Sequence, residues 1–579
     1  MTQPVNMRKP SEEKPWLSLY KNIPDINEIN KTLNDYVWDR ADAYANAGDI
    51  ALDFSDTKIS FAEVKENIEK AAKSLVALGV KKGDIVIICS ITTPEMVYLF
   101  YALNKIGAGI NMVDPRTSAE GIHEYIEEVD AQFIVTLDIF YERVSEAAKN
   151  TNAKILLSVN PAESLPKVKQ FAFKLVSLSG KEKVVYSDKV LSWKTFIAKG
   201  EGYTGPIEEN KDPEATAFIF HTGGTTGSPK CVMLSSRALN AVVLQTEING
   251  PKYKDVFLNV MPSFIAYGFG LGIHMPLSVG MTSVIIPNIE PEMMAGLIRK
   301  YKPNHMAGVP LHYVTLMNDQ KMNGVDLSYI CSTGCGGDSI NETDEVLVNE
   351  FLKKHNAPYP LNKGYGLTEV SSAATQNVGN NNKLGSVGYP LCHTTVSIFE
   401  PGTDHELTYG EEGEICITGP TLMNGYYKKP DETADAVRKH SDGQMWLHSG
   451  DIGIIDEDGF VYIKSRIKRV VVRHDGFKVY ASTIENTASK DKDVLACAAV
   501  GIKDKNRAHG NLPVLFIVKR EDSSTSDDEF RKNVKALCDK MLPEYVAPVA
   551  YYVVPQLPYT GIGKVDFKTL EGMAGVIGY

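Results

Sequence analysis

Phe220-His221-Thr222-Gly223-Gly224-Thr225-Thr226-Gly227-Ser228-Pro229-Lys230 packs three threonines, three glycines and one lysine into a single short loop. Upstream, Ala215–Phe220 reads as a short buried strand. Downstream, Ser236–Glu247 reads as a helix. Glycines let backbone N–H groups approach an anion closely, the threonine hydroxyls add donors, and Lys230 adds a positive charge. The loop is therefore predicted to hold a polyphosphate. It is not a Walker A loop, because Pro229 separates Ser228 from Lys230. Taken alone, the same composition also describes a flexible surface turn.

The chain has 579 residues, more than one hydrophobic core usually serves, so several subdomains are expected. Hydrophobic content of 43% and charged content of 23% are those of a globular protein. The net charge of -11 argues against a dedicated nucleic-acid binder, which would carry a basic stripe. The eight cysteines are scattered without a Cys-x-x-Cys pair, which reads as free buried thiols in a reducing compartment. The histidines form no metal-type pair and are read as structural. Met1–Trp16 is polar and lacks the apolar core of a signal peptide. Val256–Ile289 carries no charged residue, but Pro262, Pro276, Pro287 and four glycines interrupt it. A buried apolar cleft is expected there rather than a membrane span, and the cytoplasm is the expected location.

Helices and strands alternate along the chain. Phe61–Leu78 places Val64, Ile68, Ala71, Ala72 and Leu75 at helical spacing, with Gly79 at the C-cap position. Ile85–Ser90 and Phe133–Leu137 read as strands, and Pro94–Gly107 as a second helix. This alternation indicates parallel sheets covered on both faces. Glu521–Asp528 reads as an exposed loop.

Further constellations follow in order. In Tyr365-Gly366-Leu367-Thr368-Glu369, the tyrosine can offer a ring face to a purine and the glutamate a hard oxygen to Mg²⁺. The same residues also suit a Tyr-Gly turn that opens a helix. Ser332-Thr333-Gly334-Cys335-Gly336-Gly337 permits close backbone approach to a flat ligand, or is a plain glycine turn. In Trp446-Leu447-His448-Ser449-Gly450-Asp451, the aspartate suits the hydroxyls of a ribose, or a cap. Gly459–Lys468 alternates and then turns basic, as an exposed edge strand also would. Near the C-terminus, Leu557-Pro558-Tyr559-Thr560-Gly561-Ile562-Gly563-Lys564 sets a lysine on a glycine-bounded turn, where simple solvation is the alternative.

In this order and spacing, these stretches resemble the adenylate-forming (AMP-binding) superfamily, in particular its acyl-CoA synthetases and acid–CoA ligases. The resemblance runs from about Leu33 to Leu570 and is supported by Ile59–Glu63, Leu78–Asp84 and Gly425–Thr433. It implies an α/β fold, with a large N-terminal domain (1–466) of doubly wound, mostly parallel sheets plus a small β-barrel-like subdomain. A small mobile α+β C-terminal domain (467–579) follows, with the hinge at Lys468.

The resemblance also implies roles. Thr222, Gly223, Gly224, Thr225, Thr226, Gly227 and Lys230 hold the β- and γ-phosphates of ATP. Gly334, Cys335 and Gly336 form one wall of the adenine slot, and Tyr365 with Gly366 forms the other. Thr368 touches the α-phosphate and Glu369 holds Mg²⁺. Asp451 and Arg466 bind the ribose. Lys564 bridges carboxylate and α-phosphate, and Gly476, Phe477 and Lys478 serve the coenzyme A step. Phe264, Ile265, Tyr267 and Gly268 line the acyl pocket, with Ile265 where many relatives carry histidine. No carboxylate there suits an amino acid's ammonium group, so a fatty or aryl acid is expected. Other departures are Cys231 for Gly, Ser449 for Thr, Ser465 for Gly, Ala481 for Pro, Thr483 for Glu and Phe567 for Arg.

The expected activity is ATP-dependent conversion of a carboxylic acid to acyl-AMP and pyrophosphate, followed by transfer to coenzyme A. One alternative is an enzyme that loads a carrier-protein phosphopantetheine or stops at acyl-AMP. No carrier segment follows before Tyr579, which favours a free-standing enzyme. The other alternative, a non-catalytic nucleotide-binding protein, predicts damage to the phosphate loop, Glu369 or Lys564, and all three are intact. No nucleic-acid partner and no transmembrane segment are expected.

Overall fold

Ser60 and Glu63 start the first long helix by capping each other. Ser60 Oγ accepts the Glu63 N–H at 3.2 Å, and a Glu63 carboxylate oxygen accepts the Ser60 N–H at 2.8 Å. The helix runs Phe61–Ala77, buries Val64, Ile68, Ala71, Ala72 and Leu75, and gives way at Gly79, whose φ is +89. The second helix, Pro94–Ile106, buries every residue but Lys105. A helix apolar on all sides must be covered on all sides. Phe100 meets Phe218 of a sheet strand at 5.5 Å and Phe269 of a separate short helix at 5.6 Å.

The computed structural model describes residues 8–44, 46, 48–166, 170, 184–222, 230–248, 250–286, 290–475, 478–507, 510–559 and 565–577. Two large sheets dominate. In the nine-stranded sheet, Ile50–Phe54, Thr282–Ile285, Val256–Asn259, His305–Gly308, Ser332–Cys335 and Asn362–Tyr365 run parallel in that spatial order. In the eight-stranded sheet, Val190–Ser192, Ile155–Val159, Phe133–Leu137, Ile85–Cys89, Gly109–Val113 and Thr216–His221 do the same. Antiparallel strands finish the edges. Their strands are buried on both faces, which is why they read as apolar runs.

Thr395–Phe399, Gly413–Thr418, Met445–Ile455, Val437–Lys439 and Val461–Arg466 form an antiparallel five-stranded sheet with its own core around Trp16, Val396, Ile417 and Ile455. Beyond it, Val494–Lys503, Asn511–Lys519 and Ala550–Val553 form a three-stranded sheet, and Val470–Val472 pairs with Lys478–Tyr480. These elements enclose separate cores around Phe530 and Phe516. The α/β architecture expected from the sequence is the one observed.

The structure adds one strand at the deciding stretch. Ser236–Glu247 is a helix as read, but Cys231–Ser235 intervenes as a strand antiparallel to Thr216–His221. Thr222 and Lys230 therefore stand at the facing ends of two antiparallel strands. Val232 and Leu234 enter one core and Cys231 and Met233 another, so this short strand shows no polar face to mark it. Asp527 and Asp528, read as loop, begin the helix Asp527–Met541 behind the Ser526 cap. Val256–Ile289 carries the strands Val256–Asn259 and Thr282–Ile285 with helical turns between them. Among the described residues, no helix is long and apolar enough to cross a membrane.

Candidate active site

Asp451 and Arg466 are direct cross-strand partners in the antiparallel pair Met445–Ile455 and Val461–Arg466. That register brings Arg466 Nε to 2.9 Å from Asp451 Oδ1. Tyr365, the last residue of its parallel strand, donates its hydroxyl to Asp451 Oδ2 at 2.7 Å. The carboxylate is buried while Arg466 is half exposed. Burial, then the Asp451 charge, push the Tyr365 hydroxyl well above its usual range, so it stays a donor. Three motifs distant in sequence thus meet at one carboxylate. Gly366 follows Tyr365 because a Cβ there would collide with the Ser372 carbonyl.

A second group assembles at the base of the phosphate loop. Thr222 N–H donates to the Lys230 carbonyl and Lys230 N–H to Thr222 Oγ1, each at 3.0 Å, so the two ends of the loop are clamped together. Lys230 Nζ lies 4.4 Å from the Tyr426 ring centroid and 2.9 Å from Glu432. Tyr426 donates its hydroxyl to Glu369 Oε1 at 2.9 Å. The hydrogen bonds from Lys230 and then Lys429 hold Glu432 below the usual carboxylate range. Tyr426 reaches this place because Gly425–Tyr426 pairs with Cys231–Ser235. In the sequence Tyr426 and Glu432 stand out only as part of Gly425–Thr433; their connection to Lys230 depends on that strand pairing. Glu369 and Thr368 lie in the turn Thr368–Val370, both half-buried. Gly223, Gly224, Thr225, Thr226 and Gly227 lie outside the described residues.

Ser332–Cys335 is a strand whose carboxyl end carries Gly336, and Gly336 N–H donates to the Gly308 carbonyl at 3.0 Å. Cys335 turns its side chain into the core around Leu258 and Met306, and burial raises its thiol, so its backbone alone is available to a ligand. Gly334 presents its carbonyl to the Tyr313 hydroxyl at 2.6 Å. In the predicted acyl pocket, Phe264 is buried beneath the Arg116 guanidinium, 5.6 Å from its centroid. Ile265 packs against the largest core, and Tyr267 points its hydroxyl at the Gly308 carbonyl, 3.5 Å away. Gly268 is fixed by its contact with Pro262, which leaves no room for a Cβ.

His221 and His305 are both committed elsewhere. His221 Nε2 lies 2.6 Å from Asn111 Oδ1, its ring lies over Tyr125, and burial lowers it to about 4. His305 is held between Ser332 Oγ and Asp255. Cys231 is buried and donates its thiol to Glu128 Oε2 at 3.1 Å.

Lys564, Gly476 and Phe477 lie outside the described residues, as do the side chains of Lys468 and Lys478. The backbone of Lys468 belongs to the turn Ile467–Arg469, and Lys478 opens the strand Lys478–Tyr480. Flanking Lys564, Tyr559 and Val565 form an antiparallel bridge, and Asp566 N–H donates to the Pro558 carbonyl at 2.8 Å. Burial and then the Asp338 charge raise the Tyr559 hydroxyl.

Thr222, Gly336 and Tyr365 therefore stand at the carboxyl ends of parallel strands, the usual location of a ligand site in such sheets. The family model described as AMP-binding enzyme matches residues 39–427, and that of the AMP-binding enzyme C-terminal domain matches residues 483–564. A long-chain-fatty-acid–CoA ligase of Bacillus subtilis (strain 168) is 29% identical over 96% of this chain and 97% of its own. The 4-coumarate–CoA ligase 1 of Arabidopsis thaliana is 26% identical over 95% of this chain and 94% of its own. Among solved structures, ATP-bound MatB from Rhodopseudomonas palustris shares the fold with a TM-score of 0.79 at 21% identity, covering 94% of this chain and 99% of that one. The anthranilate CoA ligase AuaEII in complex with anthranoyl-AMP does so with a TM-score of 0.79 at 18% identity, covering 94% and 98%. This chain belongs to the AMP-binding enzyme family.

Proposed function

We propose that this protein is an AMP-forming acid–CoA ligase that activates a fatty or aryl carboxylic acid. The observation that carries the reading is the convergence of Tyr365, Asp451 and Arg466, joined through the short segment Tyr365–Glu369 to the Lys230–Tyr426–Glu369 group. A carboxylate is a poor electrophile because its leaving group would be oxide. Attack of its oxygen on the α-phosphate of ATP, with pyrophosphate leaving in line, converts it to acyl-AMP, which has AMP as a leaving group. No general base is needed, since the acid is ionised at neutral pH. The protein positions two anions and offsets their charge. Lys230 and the loop from Thr222 hold the β- and γ-phosphates, Asp451 and Arg466 fix the ribose, and Lys564 brings carboxylate and α-phosphate together. Thr368 is assigned to the α-phosphate. Glu369 supplies a hard oxygen of the kind Mg²⁺ takes, oriented by Tyr426; bound there, the ion would offset phosphate charge.

Coenzyme A thiol then attacks the acyl carbonyl and AMP departs. We assign residues 1–466 and 467–579 to the two domains, with the hinge at Lys468 and Gly476, Phe477 and Lys478 serving this second step. Separate sheets and cores on either side of the turn Ile467–Arg469 support the division. The apolar surroundings of Phe264, Ile265, Tyr267 and Gly268, together with relatives named for long-chain fatty acids and 4-coumarate, support the choice of acid. Eight free thiols suit a cytoplasmic location.

The experiment is pyrophosphate release with Mg-ATP over a panel of carboxylic acids, with and without coenzyme A. Acid-dependent release matched by CoA-thioester formation is expected. Release without thioester would reject coenzyme A as acceptor, and silence across fatty and aryl acids would reject this choice of substrate.

A further inference from the structure

Asp451 ends a bulge whose Gly450 N–H is taken by a second buried acid, Glu414. Glu414, on the strand Gly413–Thr418, is 4% exposed. The ladder pairs Glu414 with Ile452 and Cys416 with His448, so Ser449, Gly450 and Asp451 all lie opposite Ile415 alone. This is a β-bulge, the device by which a strand re-aims a side chain. Gly450 takes φ +71 to make it. Ser449 Oγ donates to the Ile415 carbonyl at 2.6 Å and accepts the Asp451 N–H at 3.0 Å.

Glu414 closes the bulge from the other side. Its Oε1 accepts the Gly450 N–H at 3.1 Å, and its Oε2 lies 2.9 Å from His448 Nδ1. His448 Nε2 in turn lies 2.9 Å from His440 Nε2. One tautomer order satisfies the series: His448 donates from Nδ1 to the carboxylate and accepts at Nε2 from His440. His440 is stacked on Trp446 and buried, with Nδ1 lacking a partner, as this order leaves it a lone pair and no proton. Glu414, Cys416 and His448 together also offer metal-type donors, but in this order the Nδ1 of His448 carries a proton and has no lone pair to give.

We infer that Glu414 is a positioning residue that locks the Ser449–Asp451 bulge and thereby sets the enzyme's preference for a ribonucleotide. This rests on the assignment of Asp451 to the ribose. A buried carboxylate held by His448 and tied to one backbone N–H of a bulge acts where that bulge points, and this one points Asp451 at Tyr365 and Arg466.

The test is calorimetric binding of Mg-ATP, Mg-2′-deoxy-ATP and Mg-3′-deoxy-ATP to wild type, Glu414→Ala, Glu414→Gln and Glu414→Asp, with thermal unfolding of each. Binding needs no acid substrate, so failure here is separable from failure of the proposed reaction. Wild type is expected to prefer ATP over at least one deoxy analogue by about tenfold or more. Glu414→Ala should weaken ATP binding about tenfold and bring that preference under about threefold. Glu414→Gln keeps an acceptor for Gly450 and can donate to the other tautomer of His448, so it should retain the preference. Glu414→Asp keeps the charge but falls one methylene short, so it should lose the preference, and it decides the matter if the alanine variant does not fold. A folded Ala or Asp variant with lowered unfolding temperature but undiminished preference overturns the inference. Wild type binding all three nucleotides equally overturns it together with the ribose assignment.

Discussion

Tyr365 and Asp451 are 86 residues apart in sequence, yet the phenol donates to the carboxylate at 2.7 Å. The tyrosine therefore does more than offer a ring face. Its hydroxyl also orients the carboxylate assigned to ribose, so the proposed adenine contact and the proposed ribose contact are joined by one hydrogen bond. That coupling comes from the end of a parallel strand of one sheet meeting the bulge within a strand of another.

Tyr365→Phe should retain the ring and lose the anchor. A hydrogen bond to a charged group contributes roughly 1.5–3 kcal/mol, and Asp451 is left buried with one donor fewer. The KM for ATP should rise about 10- to 100-fold, with the KM for the acid nearly unchanged. Steady-state pyrophosphate release at varied ATP checks this; equal effects on both KM values would break the assigned link to the nucleotide.

Glu369 and Tyr426 make a metal-dependent pair of predictions. Glu369→Gln removes the charge offered to Mg²⁺, and Tyr426→Phe removes the donor that orients it. Supporting partners of metal ligands typically carry 10- to 100-fold in affinity or activity. Half-saturating magnesium should therefore rise by about tenfold or more in both variants, most in Glu369→Gln. Magnesium titration of pyrophosphate release is the measurement, and an unchanged midpoint in Glu369→Gln would remove the residue from the metal site.

The parallel strands Ile85–Cys89, Phe133–Leu137 and Thr216–His221 and the helices Phe61–Ala77 and Pro94–Ile106 were legible in the sequence because each had a local signature. Phe61–Ala77 carries its cap at Ser60 and its stop at Gly79, and Phe133–Leu137 is an apolar run bounded by polar residues. Cys231–Ser235 escaped because both its faces are buried and the helix cap at Ser235 follows at once. Among the candidate site residues, Tyr365, Asp451 and Arg466, which the structure brings together, were legible through motifs, each of which carries its own local pattern. Tyr426, Glu432 and Glu414 were not, since their roles depend on strand register and a bulge, and register is set by long-range packing that leaves no local pattern.

Stability should fall below neutral pH because some histidines are buried uncharged. Burial, reinforced by the Arg40 charge, lowers His274 to about 3, and burial lowers His312 to about 4. His274 is fixed between Tyr101 and Asn240, and His312 Nδ1 accepts the Val309 N–H. Between these values and about 6.5 the unfolded chain binds protons that the folded chain does not. Stability is therefore complete above pH 6.5 and declines as pH falls toward 4, by up to about 1.4 kcal/mol per pH unit for each histidine. Denaturant unfolding at pH 7, 6 and 5 should show this slope. His312→Asn, whose Oδ1 can take the Val309 N–H, should flatten it by about one proton; a slope unchanged in that variant would mean His312 is not a source.

Lys564 makes the sharpest division between the two proposed half-reactions. Carboxylate and triphosphate repel each other, and a lysine ammonium between them is of use only while both are present. Once acyl-AMP has formed, attack by the thiol on a neutral acyl carbonyl has no such need. Tyr559 and Val565, which flank the segment that carries Lys564, form an antiparallel bridge. Lys564→Ala should therefore slow acyl-adenylate formation about 100- to 1,000-fold. Thioester formation from supplied acyl-AMP and coenzyme A should keep its rate to within about threefold, and ATP binding should be little changed. Rapid-quench measurement of each half-reaction separates the two, and equal loss in both would reject the bridging role.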